Sequence, residues 1–133
     1  MSPREYLENL MRLVELRLGQ VQILRQDIDD VRAYIRFEAT WHDYRVSVVE
    51  VYRQNQTRGY AYHVLDKQNQ HIHRFDNSAD KTALQLRYGA EAKMHVYAEI
   101  PHQHDQQLQI TLTPQAMTFE LFMQWLELQI VRK

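Results

Sequence analysis

Seven histidines in a chain of 133 residues are the side chains best suited to do chemistry here. Four form two His-x-His pairs, His71/His73 and His102/His104, while His42, His63 and His95 stand alone. Imidazole titrates near neutrality, so two of them in one site serve as base and acid of a single reaction. RNA cleavage by the 2′-hydroxyl as internal nucleophile needs such a pair, plus a cation for the charge on the phosphorane. It needs neither a metal nor a thiol. His63, His102 or His104 with Arg74 meet that requirement if folding gathers them. The same strings permit metal binding. Imidazoles two apart on a strand share a face, and two such pairs complete a four-nitrogen site for zinc, nickel or copper. The spacing permits this without selecting it, because exposed histidines on an edge strand give the same pattern.

The densest polar stretch is Gly59 to Asn77, GYAYHVLDKQNQHIHRFDN. It reads as a strand ending in Asp66, a turn, and a returning strand that closes on Arg74, Phe75, Asp76 and Asn77. A hairpin of this kind sets Tyr62 and His63 beside Arg74 and Phe75 as cross-strand neighbours. Arg74 and Asp76 share a face, so the carboxylate holds the guanidinium in place. Asp76 and Asn77 also suit an Asx-type turn that ends the strand. The expected catalytic set is therefore His63, His102, His104, Arg74 and Asp76. Tyr62, Asn77 and Arg58 are expected to touch substrate, and no residue is assigned to a metal or other cofactor.

Composition narrows the setting for this chemistry. Apolar residues make up 44% of the chain and charged residues 25%, a globular mixture, and the length suits a single domain over 1–133. Cysteine is absent, which removes disulfides, thiolate zinc sites and thiol catalysis. The formal charge is −1, so a long nucleic-acid footprint, which demands a basic excess, is not expected; the charge leaves room for brief contact at one small site. No apolar run approaches the roughly 20 residues that cross a bilayer. MSPREYLENL lacks a signal-like apolar stretch, and the expectation is a cytoplasmic protein without membrane contact.

The elements that must position the site follow from periodicity. Ser2-Pro3-Arg4-Glu5 reads as a capped helix start, and Leu7, Leu10 and Val14 recur at helical spacing over 3–18, with Gly19 as the stop. The period then becomes two. A strand is expected over Val21 to Ile28, followed by Ala33 to Trp41, a tight turn at His42-Asp43, and Tyr44 to Arg53. After a loop at 54–58 closed by Gly59 come Tyr60 to Asp66 and His71 to Asp76. Small polar turns between consecutive runs favour an antiparallel meander. Lys81 to Tyr88 reads as a short helix, Lys93 to Glu99 as a strand and Pro101 to Gln107 as a polar loop. Leu108, Ile110 and Leu112 alternate briefly. Phe119, Phe122, Leu126 and Ile130 stripe a C-terminal helix capped from Thr113-Pro114 or Thr118. The expected fold is α+β: a meander of about five to six strands flanked by an N-terminal and a C-terminal helix, in a two-layer sandwich.

Tyr60-x-Tyr62-His63-x-x-Asp66, then Arg74-Phe75-Asp76-Asn77, then Pro101-His102-x-His104, resembles the TumE-like family of small prokaryotic toxins. Glu50-Val51-Tyr52 and the helix opening at Thr118 are similar too, and the likeness covers about residues 30 to 130. Two places depart from the family pattern. Ser78-Ala79-Asp80 stands where proline and paired histidines usually follow Asp-Asn, and Gln103 interrupts the Pro-His-His-x-His stretch. His71 and His73 match no family position.

The resemblance implies the toxin of a type II toxin–antitoxin system, neutralised by a small antitoxin protein, often a helix-turn-helix DNA binder. Together with the histidines it gives the leading expectation of a metal-independent endoribonuclease acting on RNA. Two alternatives stand beside it. One is a non-enzymatic binding module, an inhibitor or scaffold, signalled by an uncovered apolar surface at Trp41, Tyr44 or the C-terminal helix. The other is a metal-binding protein using the His-x-His pairs. Open sheet edges make a homodimer the default assembly.

Overall fold

The computed structural model describes residues 1–131. Helix α1 spans Pro3–Leu18. The Ser2 hydroxyl accepts the Glu5 backbone N–H at 3.1 Å, and Pro3 fills the first helical position, where a missing N–H costs nothing. Gly19, at φ +72°, ends the helix in a conformation that other residues adopt only under strain.

Seven strands follow: β1 Gln22–Ile28, β2 Arg32–Trp41, β3 Tyr44–Arg53, β4 Arg58–Leu65, β5 His71–Asp76, β6 His102–His104 and β7 Ile110–Leu112. They form one open sheet in sequence order, every neighbouring pair antiparallel. Between β5 and β6 lie helix α2, Lys81–Tyr88, and a 3-10 segment, Gly89–His95. Helix α3, Phe119–Leu126, is capped by Thr118 and continues as a π-helical segment over Glu127–Val131.

Strict alternation divides the sheet into two faces. Ile35 and Phe37 of β2, Val46 and Val48 of β3, Tyr62 and Val64 of β4 and Phe75 of β5 point inward. They pack against Leu7, Leu10 and Val14 of α1 and Phe119, Phe122 and Leu126 of α3. This is the two-layer α+β core expected from the period-two and helical stripes. On the opposite face, α2 packs over the short end of the sheet, where Ala83 and Leu84 meet Ile100, Ile110 and Leu112. That face is otherwise free of helices among the described residues, so one side of β3–β5 is left accessible.

Four expectations change. His102–His104 is a strand rather than loop, because it pairs with both β5 and β7; three residues are too few for alternation to reveal. Lys93 to Glu99 is not a strand. Met94, Val96 and Tyr97 sit in or beside the 3-10 segment and face solvent, so their apolar alternation reflects no buried face. Arg58 and Gly59 belong to β4, not to the preceding loop, and Gly59 is needed there because a Cβ would lie 2.9 Å from Val51 Cγ1. Leu108 sits in a turn at φ +64° and is not part of β7. The strand count is accordingly seven.

Candidate functional site

Register, not sequence proximity, assembles the polar face. Ser47, His63, Arg74, His104 and Ile110 stand abreast on β3 to β7. One step along, Ala61, Asp76, His102 and Leu112 form a second row. Strands lie about 4.8 Å apart, so His63 and His104 flank Arg74 with backbones about 10 Å from each other. Cross-strand placement of Tyr62 by Phe75 and His63 by Arg74 follows the hairpin reading of the sequence.

Arg74 is anchored from below. Its Nε donates to Asp76 Oδ2 at 3.1 Å, and Nη2 lies 3.0 Å from the same oxygen as an ion pair. Asp76 Oδ1 accepts the Ser78 backbone N–H at 2.6 Å, which is the Asx turn that ends β5. Burial alone would raise the Asp76 carboxyl. The Ser78 hydrogen bonds and the Arg74 charge outweigh it and hold the group below its ordinary range.

His63 is oriented by a chain of two imidazoles. His71 Nε2 lies 2.7 Å from the Asp105 carbonyl, an acceptor only, so His71 carries its hydrogen there. Neutral His71 then offers a lone pair at Nδ1, and His63 Nε2–H donates to it at 2.9 Å. The remaining nitrogen of His63, Nδ1, is left with its lone pair free. Burial first, then Arg74, His71 and His104, push the His63 imidazolium down to about 4. His63 is therefore a neutral base at pH 7.

His102 and His104 share the outward face of β6, their ring centroids 5.1 Å apart. His104 is half-buried, and burial and the neighbouring His102 hold it below its ordinary value. His102 is 1% exposed. Its Nδ1 donates to the Ile100 carbonyl at 2.6 Å, while its Nε2 is buried without a hydrogen-bond partner. One ligating atom each from Asp76, His102 and His104 lie within 4.8 Å of one another, a group among the described residues that could hold a metal ion.

The structure thus gathers His63, Arg74, Asp76, His102 and His104 on one face. It does not gather the three residues expected to touch substrate. Tyr62, wholly buried, and Arg58 point through the opposite face into the core, where Arg58 Nη1 donates to the Tyr62 hydroxyl at 2.8 Å. Asn77 adjoins Asp76 in sequence, but its amide is spent on β4. Its Oδ1 accepts from Tyr60 N at 2.9 Å and its Nδ2 donates to the Arg58 carbonyl at 2.8 Å.

The first His-x-His pair is split. A β-bulge between Val64 and Leu65 offsets the β4–β5 register. His71 therefore meets His63, while His73 stacks on Trp125 of α3 with ring centroids 4.3 Å apart. A four-nitrogen site from the two pairs is ruled out by this arrangement. His42 packs on Trp41 and His95 on Tyr88, away from the row.

Sequence reasoning missed one participant in the row, His71, and one charged residue of the core, Glu50. His71 joins only through the bulge, for which Ile72 gives no signal. Glu50 is a core carboxylate, and the inward phase of Val46 and Val48 leads directly to it. Trp41 is buried and Tyr44 half-buried, so neither offers an open apolar surface, while Leu128 beyond α3 is exposed; other exposed apolar side chains include Ile23 and Leu24 on β1, with Met94, Val96 and Tyr97. No helix among the described residues is long and apolar enough to cross a membrane.

Compared with known families, residues 7–130, nearly the whole chain, match the family model described as Toxin TumE. No curated protein and no solved structure matches.

Proposed function

The chain belongs to the TumE toxin family, and from that premise we propose that it is the toxin of a type II toxin–antitoxin system, acting as a metal-independent endoribonuclease. The observation that supports this reading is the row His63–Arg74–His104 on the face of the sheet away from α1 and α3. Arg74 has one edge on Asp76 and the rest of its guanidinium free for a phosphate. His63 Nδ1 takes the proton of a 2′-hydroxyl. The O2′–P bond forms as the P–O5′ bond breaks, and His104 gives a proton to the departing O5′. The products are a 2′,3′-cyclic phosphate and a 5′-hydroxyl. Arg74 meets the charge on the phosphorane, which is electrostatic stabilisation at the point where it develops. One anchored guanidinium suffices for a single phosphate, so a chain of net charge −1 needs no basic surface.

The family implies an antitoxin partner. The surface that supports its docking is β1, an edge strand exposed along nearly all its length with Ile23 and Leu24 uncovered. A small helix-turn-helix antitoxin fits that role, and the same edge offers a second copy a strand to pair with in a homodimer.

Purified protein incubated with RNA tests the catalytic reading. Cleavage leaving 2′,3′-cyclic ends is expected in the presence of chelator. His63→Ala and Arg74→Ala are each expected to lower the rate by at least ~100-fold. RNA that stays intact would remove the enzyme reading and leave the binding module.

A further inference from the structure

Asp76, His102 and His104 present three ligand atoms of the types that hold borderline transition metals: one carboxylate oxygen and two imidazole nitrogens. His102 is the unusual member. Its Nδ1–H is fixed on the Ile100 carbonyl at 2.6 Å, which leaves Nε2 as the lone-pair nitrogen of the neutral ring. That lone pair is buried and no protein donor answers it. The nearby Asp76 carboxylate, already bonded to Arg74 and Ser78, is an acceptor too and has no hydrogen to give that lone pair. A buried acceptor without a partner is costly, and a cation answers it. The outer hydrogen bond from Nδ1 to a backbone carbonyl is the second-layer contact that orients metal-binding histidines.

We infer that Asp76, His102 and His104 bind one divalent transition-metal ion of the zinc type, with the remaining coordination positions open toward the His63–Arg74 row. The three ligand atoms lie within 4.8 Å of one another. Around a tetrahedral ion they would stand about 3.4 Å apart, given bonds of about 2.0–2.1 Å. Small side-chain rotations, chiefly of the half-buried His104, close that difference. Arg74 occupies part of Asp76 Oδ2, and the lone pairs of Oδ1 and Oδ2 that Arg74 and Ser78 do not use remain for the ion.

The test uses the tag-free full chain and needs no RNA. Zn²⁺ is titrated by calorimetry, and Co²⁺ is followed by its visible absorption. One ion per chain is expected. His104→Ala and Asp76→Asn are expected to weaken binding at least about tenfold, while His73→Ala, on the other face, leaves it unchanged. His104 is half-buried, so its variant carries the test even if a His102 variant does not fold. No saturable uptake, or uptake undiminished in His104→Ala, would overturn the site. Arg74→Ala tested in parallel separates this inference from RNA cleavage, since it is expected to abolish cleavage while still taking up Co²⁺.

Discussion

Strands β3 to β5 carry a polar cluster on each face, and the two are built on opposite terms. On the inner face Glu50, 1% exposed, accepts from Tyr6, from the Tyr62 hydroxyl at 2.8 Å and from Arg58 at 3.2 Å. Arg58 also donates to the Tyr62 hydroxyl and to the Met117 carbonyl, tying β4 to the segment that leads into α3. Every charge there is answered. Burial, then the Glu50 charge, raises both Tyr6 and Tyr62 far above the usual phenol range and keeps them protonated donors. On the outer face Arg74 and Asp76 are paired, but His63 Nδ1 is open, His102 Nε2 is buried and unanswered, and His104 is half-exposed. A complete network locks a core; an incomplete one on a reachable face keeps its lone pairs for something that arrives.

The sharpest way to break this contrast is to empty the inner cluster. Glu50→Ala leaves Arg58 partly buried beside two tyrosines with its counter-charge gone. Breaking a buried ion pair from one side costs about 3–5 kcal/mol, and urea denaturation is expected to show a loss of that size. His104→Ala is expected to cost no more than about 1 kcal/mol, because the residue has no hydrogen-bond partner to orphan. Equal losses at the two positions would erase the distinction between the faces.

A smaller effect is expected from loading the outer cluster. An ion on Asp76, His102 and His104 takes up the His104 lone pair and withdraws that ring from proton transfer. One equivalent of Zn²⁺ is expected to slow RNA cleavage about 100-fold, and chelator to restore it. Cleavage that instead rises with the metal would make the ion a participant and would remove His104 from the proton path proposed above.

How much of this was readable in the chain differs between the faces. The inner layer was legible because its signals are local. Alternation in β2 to β4, the Ser2-Pro3 start and Gly19 stop of α1, and the Phe119–Phe122–Leu126 stripe each report burial within one element. The hairpin placing His63 by Arg74 was legible for the same reason, since a short turn fixes register. What failed depends on contacts between distant segments. β6 exists only through its pairing with β5 and β7. The bulge that parts His71 from His73 is a register shift, invisible in a string whose residues two apart ordinarily share a face. Tyr62 and Arg58 were grouped with the histidines by nearness in sequence, yet the pleat sends them to the other side. Glu50 was within reach of the method: a carboxylate on the buried phase of a strand is a mark of a satisfied core network.

The two faces also divide the pH axis. His63, held near 4 in the folded protein, returns to about 6.5 when unfolded, so between those values the unfolded chain binds more protons. Its contribution is complete above pH 6.5 and is lost as pH falls toward 4. Burial is the first cause, and the charged or titratable groups facing His63 are Arg74, His71 and His104. His73 and His104 are lowered as well and add loss in the same direction. Tyr6 and Tyr62 behave in the opposite sense. Their folded values are raised, so their stabilisation is complete below about pH 10, where an unfolded tyrosine ionises, and is lost as pH rises beyond it. Urea midpoints are therefore expected to fall on both sides of a neutral plateau, the acid arm chiefly from the outer face with His73 adding to it from the inner, and the alkaline arm from the inner. His63→Gln is expected to shallow the acid arm and leave the alkaline one alone. An acid arm unchanged in that variant would show that protonating His63 costs the folded state nothing, and the ring would then have to be solvated more fully than its bond to His71 allows.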